Sequence, residues 1–321
     1  MSEPRHRWQI FRRIGIVFAC LVAIIILSVI IAVRLAFNTG DVPGGAEQKT
    51  ATSHDGTIIA YEQTGRGPVV ILIASALADR EAARRLGKEL SKNFIVVNYD
   101  RRGRGKSGDV LPYTPEREVD DIEALIEASG GSAFLFGSSS GAALALEAAS
   151  QLGPKVKGLF LYEPPFIVDD SRQPVPESLA SQITELVSRG RRNDAVELFF
   201  MKGVGIPRFG VTMTRLLMPG WSKMTAMAHT LPYDLAILKG TQSGKPLPAT
   251  RWSSTRASTL VMVGERSEPF FHSGGKAVTE VLPNAQCRSL AGGTHGAVLF
   301  SAKTLAAEVE QFFLNVERRR K

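Results

Sequence analysis

Cysteine is nearly absent from this chain: Cys20 and Cys287 are the only two in 321 residues. That excludes a disulfide framework and a cysteine-based zinc centre as the main architecture. Internal repeats are absent too, and with them a repeat solenoid. Charge of one sign is only mildly in excess, 39 Lys plus Arg against 31 Asp plus Glu for a formal net charge of +8. Much of the excess lies at the ends, in Arg5, Arg7, Arg12 and Arg13 and in Arg318, Arg319, Arg320 and Lys321. Basic ends of this kind read as solvated tails. No recognisable nucleic-acid-binding motif accompanies them, and no nucleic-acid role is expected. No metal-ligand cluster is visible, and "GRGKSG" at 103–108 does not fit phosphate-loop spacing. Neither a metal nor a cofactor is therefore expected. With 44% hydrophobic and 22% charged residues, the chain also falls outside the disordered class.

One long hydrophobic run is present. Residues 14–33 contain no charge and, at ~1.5 Å per residue, reach about 30 Å, the thickness of a hydrocarbon core. A cleaved secretory signal is the rival reading, but the run exceeds the roughly 7–15 residues of such a segment and no small-x-small cleavage site follows. The expected organisation is a cytoplasmic basic tail at 1–13, one transmembrane anchor at 14–37, a Gly-rich linker at 38–52 and a folded domain at 53–321. Four arginines precede the span and only Arg34 follows it before Lys49, so the N-terminus is expected in the cytoplasm. The domain would then be extracytoplasmic, with the lipid bilayer as a partner.

From about Ser53 short apolar runs alternate with helical patterns. Strands are expected near 57–65, 68–75, 93–100, 132–137, 156–163, 258–265 and 285–292. Helices are expected near 80–90, 115–130, 141–153 and 303–319. Continuous apolar runs such as "PVVILIAS" belong to strands covered on both faces, so the pattern predicts a mostly parallel sheet flanked by helices. The alternation stops between about 166 and 256, where a helical insertion is expected. Met201, Met213, Met218, Met224 and Met227 fall there, read either as helix core or as an adaptable apolar wall over a pocket.

Gly137-Ser138-Ser139-Ser140-Gly141 fits G-x-S-x-G, directly after "AFLF" and directly before "AALALEAA". A sharp strand-to-helix turn exposes its middle serine at a helix N-terminus, where the dipole favours negative charge. Small flanking residues clear the space such a turn needs. Ser138 and Ser140 read as turn-fillers and Ser139 as the nucleophile. Among the five histidines, His295 lies between Gly293 and Gly296 after the last predicted strand. It is the expected general base, while His229 in the insertion could line a pocket.

These residues resemble the α/β-hydrolase superfamily over about 53–315. "NYDRRGRGKSG" at 98–108 is similar to the family's Asp-x-Arg-Gly-x-Gly-x-Ser segment, "GGTHGA" at 292–297 to its histidine loop, and "YEPP" at 162–165 to a bacterial branch. The resemblance implies an α/β-hydrolase fold with a helical lid at about 166–256. It also implies a Ser–His–acid triad. The family's usual Asp after the seventh strand is missing, since Ser267 stands there. Glu163, at the end of the sixth strand and rigidly held before Pro-Pro, is the preferred acid, with Glu268 and Asp169 or Asp170 as alternatives. The oxyanion hole is expected from the backbone N–H groups of Ser140 and, by resemblance, Ala76. Where the family commonly has His-Gly, this chain reads Ala74-Ser75-Ala76-Leu77. Arg101, Arg102 and Arg104 read as a structural basic turn around Asp100.

The expected function is a membrane-anchored serine hydrolase that cleaves a small-molecule ester, thioester or lactone through an acyl-enzyme on Ser139. The departures from the family pattern keep two alternatives open: a non-catalytic binding protein on the same fold, and a cofactor-free perhydrolase.

Overall fold

The computed structural model describes residues 42–320. Eight strands form one sheet in the order β1-β2-β4-β3-β5-β6-β7-β8. They are β1 (Glu47–Thr52), β2 (Ile58–Gly65), β3 (Val69–Ile73), β4 (Ile95–Tyr99), β5 (Ala133–Ser138), β6 (Val156–Tyr162), β7 (Ser258–Gly264) and β8 (Ala285–Leu290). The pairs β1–β2 and β2–β4 are antiparallel, and every pairing from β4 through β3 to β8 is parallel.

Side chains alternate between the two faces of a strand, and the central strands are apolar on both. Ile71, Ile73, Leu135, Leu159, Leu161, Val261 and Val263 point into one core. That core also takes in residues of helices α2 (Pro115–Ala128), α3 (Ser140–Leu152) and α9 (Pro269–Val281). Their neighbours Val70, Leu72, Phe134, Phe136, Phe160, Leu260 and Met262 build a second core. It is covered by α1 (Arg84–Leu90) and the closing helix α11 (Ala302–Arg320), with the short α10 (Ala297–Phe300) beside them. Phe134 stacks on Phe313 of α11 at 4.5 Å between ring centroids.

The insertion between β6 and β7 is helical, with α4 (Leu179–Ser188), α5 (Arg192–Leu198), α6 (Arg208–Leu217), α7 (Trp221–Ala226) and α8 (Leu231–Ile237). It has its own small core, in which Leu179, Ile183, Ala195, Val196, Met227 and Leu231 close over Leu77 from the loop after β3. Of its five methionines only Met227 is buried there, while Met224 packs at the margin.

Two local readings differ from the structure. Residues 47–52, placed in the linker, form edge strand β1. Only Ala51 of its six residues is buried, so no apolar pattern marks it. The arginines after β4 are structural, but Asp100 is not their partner. Arg101 pairs with Glu118 and Asp234, Arg102 with Asp121 and Asp55, and Arg104 with Asp234, all with guanidiniums buried. Asp100 instead accepts the N–H groups of Arg80 and Lys106.

The single-pass topology is corrected. The basic tail at 1–13 and the span at 14–37 lie outside the described residues, and among residues 42–320 no helix is long and apolar enough to cross a membrane. The 19-residue α11 carries Lys303, Glu308, Glu310, Glu317 and a terminal Arg318–Arg320 run, with one face packed on the sheet. The transmembrane helix as part of the fold and the anchored form of the enzyme are withdrawn accordingly. So are the lipid bilayer as partner and the membrane localisation with a cytoplasmic N-terminus and an extracytoplasmic domain. The hydrolase fold stands without them.

Candidate active site

Among the described residues, three non-glycine residues have positive φ: Leu77 (55°), Ser139 (54°) and Glu163 (48°). Each follows a strand at the carboxyl edge of the sheet: β3, β5 and β6. Backbone strain of this kind persists only where the surroundings enforce it, and it clusters at functional sites.

At Ser139 the cause is local. Strand β5 ends at Ser138 and α3 begins at Ser140, so one residue makes the whole turn, with φ 54° and ψ −125°. Its N–H donates to the Tyr162 carbonyl at 2.9 Å. The flanking glycines are required by space. A Cβ at Gly137 would lie 2.3 Å from the Gly141 carbonyl oxygen, and one at Gly141 would lie 2.4 Å from that of Ile73. Both obstacles are backbone atoms that cannot rotate away. Gly141→Ala is therefore expected to destabilise the protein by about 1–3 kcal/mol, measurable as a lowered thermal denaturation midpoint.

Glu163 follows β6, where its N–H donates to the Met262 carbonyl at 3.0 Å and Pro164 and Pro165 limit the chain beyond it. Its carboxylate is fully buried and satisfied on both oxygens. Oε1 accepts from the Gly264 N–H at 2.6 Å and the Ser267 hydroxyl at 2.5 Å. Oε2 lies 2.6 Å from Nδ1 of His295. With a proton on Nδ1, the histidine keeps Nε2 as its basic nitrogen. The imidazole is 45% exposed while its carboxylate partner is 0% exposed, so the ring is held from within and reachable from outside.

Two aromatic residues that sequence reasoning missed hold this histidine. Phe271 of α9 stacks on the imidazole, with centroids 4.6 Å apart and planes 20° from parallel. The Tyr162 hydroxyl donates to the Thr294 carbonyl at 2.6 Å, immediately before His295. Tyr162 thus ties the serine turn to the histidine loop, and burial pushes its phenol pKa well up. Its position in "LYEPP" was the available signal.

The expected residues are therefore distributed as follows. Glu163 and His295 meet. Ser139 stands on the turn above the neighbouring strand. Ser140 is the first residue of α3, so its N–H is among those that a helix start leaves unpaired. Ala76 lies in the β3 loop, and among the described residues its N–H has no protein acceptor. The alternative acids are elsewhere: Glu268 stands at the start of α9, and Asp169 accepts from Ser171; Asp170 is exposed beside it. His229 lies against the Ala226 carbonyl at 3.1 Å. Ser267, in place of the family's usual aspartate, gives its hydroxyl to the glutamate one strand away.

A second buried cluster lies directly beside the serine turn. Asp234 of α8 accepts from the Ser140 hydroxyl at 2.8 Å, from Arg101 at 2.7 Å and from Arg104 at 2.6 Å. Burial disfavours the Asp234 charge, but the two guanidiniums outweigh it and hold the carboxyl pKa below its ordinary value. No local sequence signal marked Asp234.

Comparison with known proteins agrees with this architecture. The sequence pattern of the Alpha/beta hydrolase family matches residues 65–308. An alpha/beta hydrolase from Sphaerobacter thermophilus DSM 20745 is 42% identical, with a TM-score of 0.73 over 81% of this chain and 99% of that one. A thermophilic esterase from Thermogutta terrifontis has a TM-score of 0.62 at 19% identity, over 84% of this chain and 99% of its own, a likeness of fold alone. An uncharacterized hydrolase, YraK, of Bacillus subtilis (strain 168) is 30% identical over 113 residues, 34% of this chain. The match spans 42% of that relative's length. With the family pattern covering most of the chain and a serine on the strand-to-helix turn, the chain belongs to the α/β-hydrolase family and has a fold of its serine-nucleophile type.

Proposed function

We propose that the enzyme cleaves a carboxylic ester, thioester or lactone through an acyl-enzyme on Ser139. The observation that carries this reading is the buried Glu163 carboxylate 2.6 Å from His295 Nδ1, on the sheet edge where Ser139 occupies a strained turn. A nucleophile, a base and an orienting acid are the parts that acyl transfer needs.

His295 Nε2 takes the proton of Ser139 as its oxygen bonds to the substrate carbonyl carbon. The carbonyl π electrons move to oxygen, and the oxyanion is received by the N–H groups of Ala76 and Ser140. Collapse of the tetrahedral intermediate breaks the bond to the leaving alcohol or thiol, which receives the proton from His295. Water then repeats the sequence and frees the acid. Glu163 orients the ring and steadies the imidazolium that forms. The apolar cluster that the insertion packs on Leu77, one residue from the Ala76 donor, supports an apolar acyl or ring substrate.

A fluorophosphonate probe tests the proposal. Attack by an activated serine forms a P–O bond and releases fluoride, leaving a stable adduct. Peptide mass spectrometry is expected to find that adduct on Ser139. A folded protein that reacts nowhere, or only at another residue, would overturn the assignment.

A further inference from the structure

We propose that Arg104, locked in place by Asp234 of the insertion, aims the oxyanion hole by gripping the far end of the peptide unit that carries the Ala76 N–H. The inference rests on the acyl-transfer reading above and adds two positioning residues to it.

The argument begins with peptide planarity. The Ser75 carbonyl and the Ala76 N–H belong to one peptide unit, which is planar and trans, so the two bonds point in opposite directions. Whatever fixes the carbonyl fixes the N–H. Arg104 Nη1 donates to the Ser75 carbonyl at 2.6 Å and to the Ala78 carbonyl at 3.2 Å. Arg101 Nη1 donates to the Ala74 carbonyl at 3.1 Å. Three carbonyls of the β3 loop are thus held from one side by buried guanidiniums. The hydrogen bond from a cation to the Ser75 oxygen also polarises the shared amide, making the opposite N–H a better donor.

Such a grip is needed here. The stretch Ala74–Leu77 contains no glycine, and Leu77 sits at φ 55°. Within the loop the Ala78 N–H donates to the Ser75 carbonyl at 3.3 Å, a longer bond than the 2.6 Å one from Arg104.

Asp234 makes the grip rigid and couples it to the second donor. Its Oδ2 accepts from Arg104 Nη2 at 2.6 Å. Its Oδ1 accepts from Arg101 Nη1 at 2.7 Å and from the Ser140 hydroxyl at 2.8 Å. Arg104 Nε is held in turn by the Thr230 hydroxyl at 3.2 Å. A single carboxylate from the insertion therefore sets the positions of both N–H donors, Ala76 through Arg104 and Ser140 directly.

Arg104→Lys is the principal test. Lysine keeps a charge beside Asp234, but its single ammonium lacks the planar fork that spans the carboxylate and the loop carbonyls. We expect kcat for a 4-nitrophenyl ester to fall about 10- to 100-fold, somewhat less than the loss of a whole oxyanion donor. KM should stay within about threefold, because the oxyanion exists only in the transition state. Affinity for a trifluoromethyl ketone, whose serine adduct places an oxyanion in the hole, should fall by the same factor as kcat. A merely structural arginine would not make those two losses equal.

A folded Arg104→Lys protein with both quantities within about twofold of wild type would overturn the proposal. So would a fall in kcat with unchanged ketone affinity. If Arg104→Lys does not fold, Ser140→Ala removes only the hydroxyl arm and leaves every ion pair intact. It is expected to lower both quantities together by about 3- to 10-fold, and no change in either would overturn the proposal. Fluorophosphonate labelling of wild-type Ser139 is scored first. An unlabelled wild type sinks the acyl-transfer reading itself, whereas a labelled wild type with unaffected variants sinks only the roles of Arg104 and Asp234.

Discussion

Ser139→Ala is expected to lower kcat for an activated ester by about a millionfold, the scale seen when the nucleophile of a serine triad is removed. The loss follows from what remains. Without the hydroxyl, His295 has no oxygen to deprotonate and no acyl-enzyme can form. The oxyanion donors still bind substrate, and a residual acceleration over water of about a thousandfold or more should persist. Alanine can occupy the same turn with the same backbone strain, so the denaturation midpoint should stay close to wild type. Initial rates at saturating substrate decide the matter. A folded variant with more than about a tenth of wild-type kcat would remove Ser139 from the mechanism.

Glu163→Gln should cost about a thousand- to ten-thousandfold in kcat, with little change in KM. The reason lies in the three donors that surround the carboxylate: the Gly264 N–H, the Ser267 hydroxyl and the His295 ring nitrogen. An amide has one accepting oxygen and one NH2 group. The Gly264 N–H and the Ser267 hydroxyl both converge on Oε1, so the amide oxygen is drawn to that side. Its NH2 then faces His295 Nδ1, which must accept rather than donate. The ring proton moves to Nε2, the nitrogen needed to take the serine proton. Glutamine therefore damages the site by imposing the wrong tautomer, even though size and packing are preserved. Steady-state kinetics on the folded variant provide the check; a kcat within about tenfold of wild type would show that Glu163 does not orient the base.

Much of this site was legible because its signals are short-range. G-x-S-x-G between an apolar strand and an alanine-rich helix is a local steric statement, and Gly137 and Gly141 show why. Glu163 could be preferred over Glu268 because the Pro-Pro that follows fixes the chain. His295 was marked by its flanking glycines. What stayed hidden depends on contacts distant in sequence. Arg101, Arg102 and Arg104 could be read as a structural turn, but their true partners Glu118, Asp121 and Asp234 come from two other helices. The rescue of Ser267 as a hydrogen-bond donor to Glu163 requires β6 and β7 to lie side by side. Strand β1 was missed for the opposite reason: an edge strand with one buried residue has no hydrophobic period to read.

The placement of Asp234 bears on how this fold can be recombined. The insertion is continuous in sequence but fastened unevenly along its helical series. Beyond residue 226 it is bolted to the hydrolase body: Asp234 to Ser140 and the arginines, Arg251 and Trp252 to Glu147, and Gln242 to the Pro165 carbonyl. Helices α4 to α7, at 179–226, meet the body through apolar packing over Leu77 and one half-exposed ion pair, Lys223 with Glu81. Crossovers that exchange only 179–226 between related enzymes should therefore yield folded chimeras with altered substrate range. A chimera that imports 228–252 must bring matching partners at 101, 104, 140 and 147, or leave charges stranded in the interior. The insertion is best treated as two inheritable pieces, one free to diversify with substrate and one obliged to co-evolve with the catalytic turn.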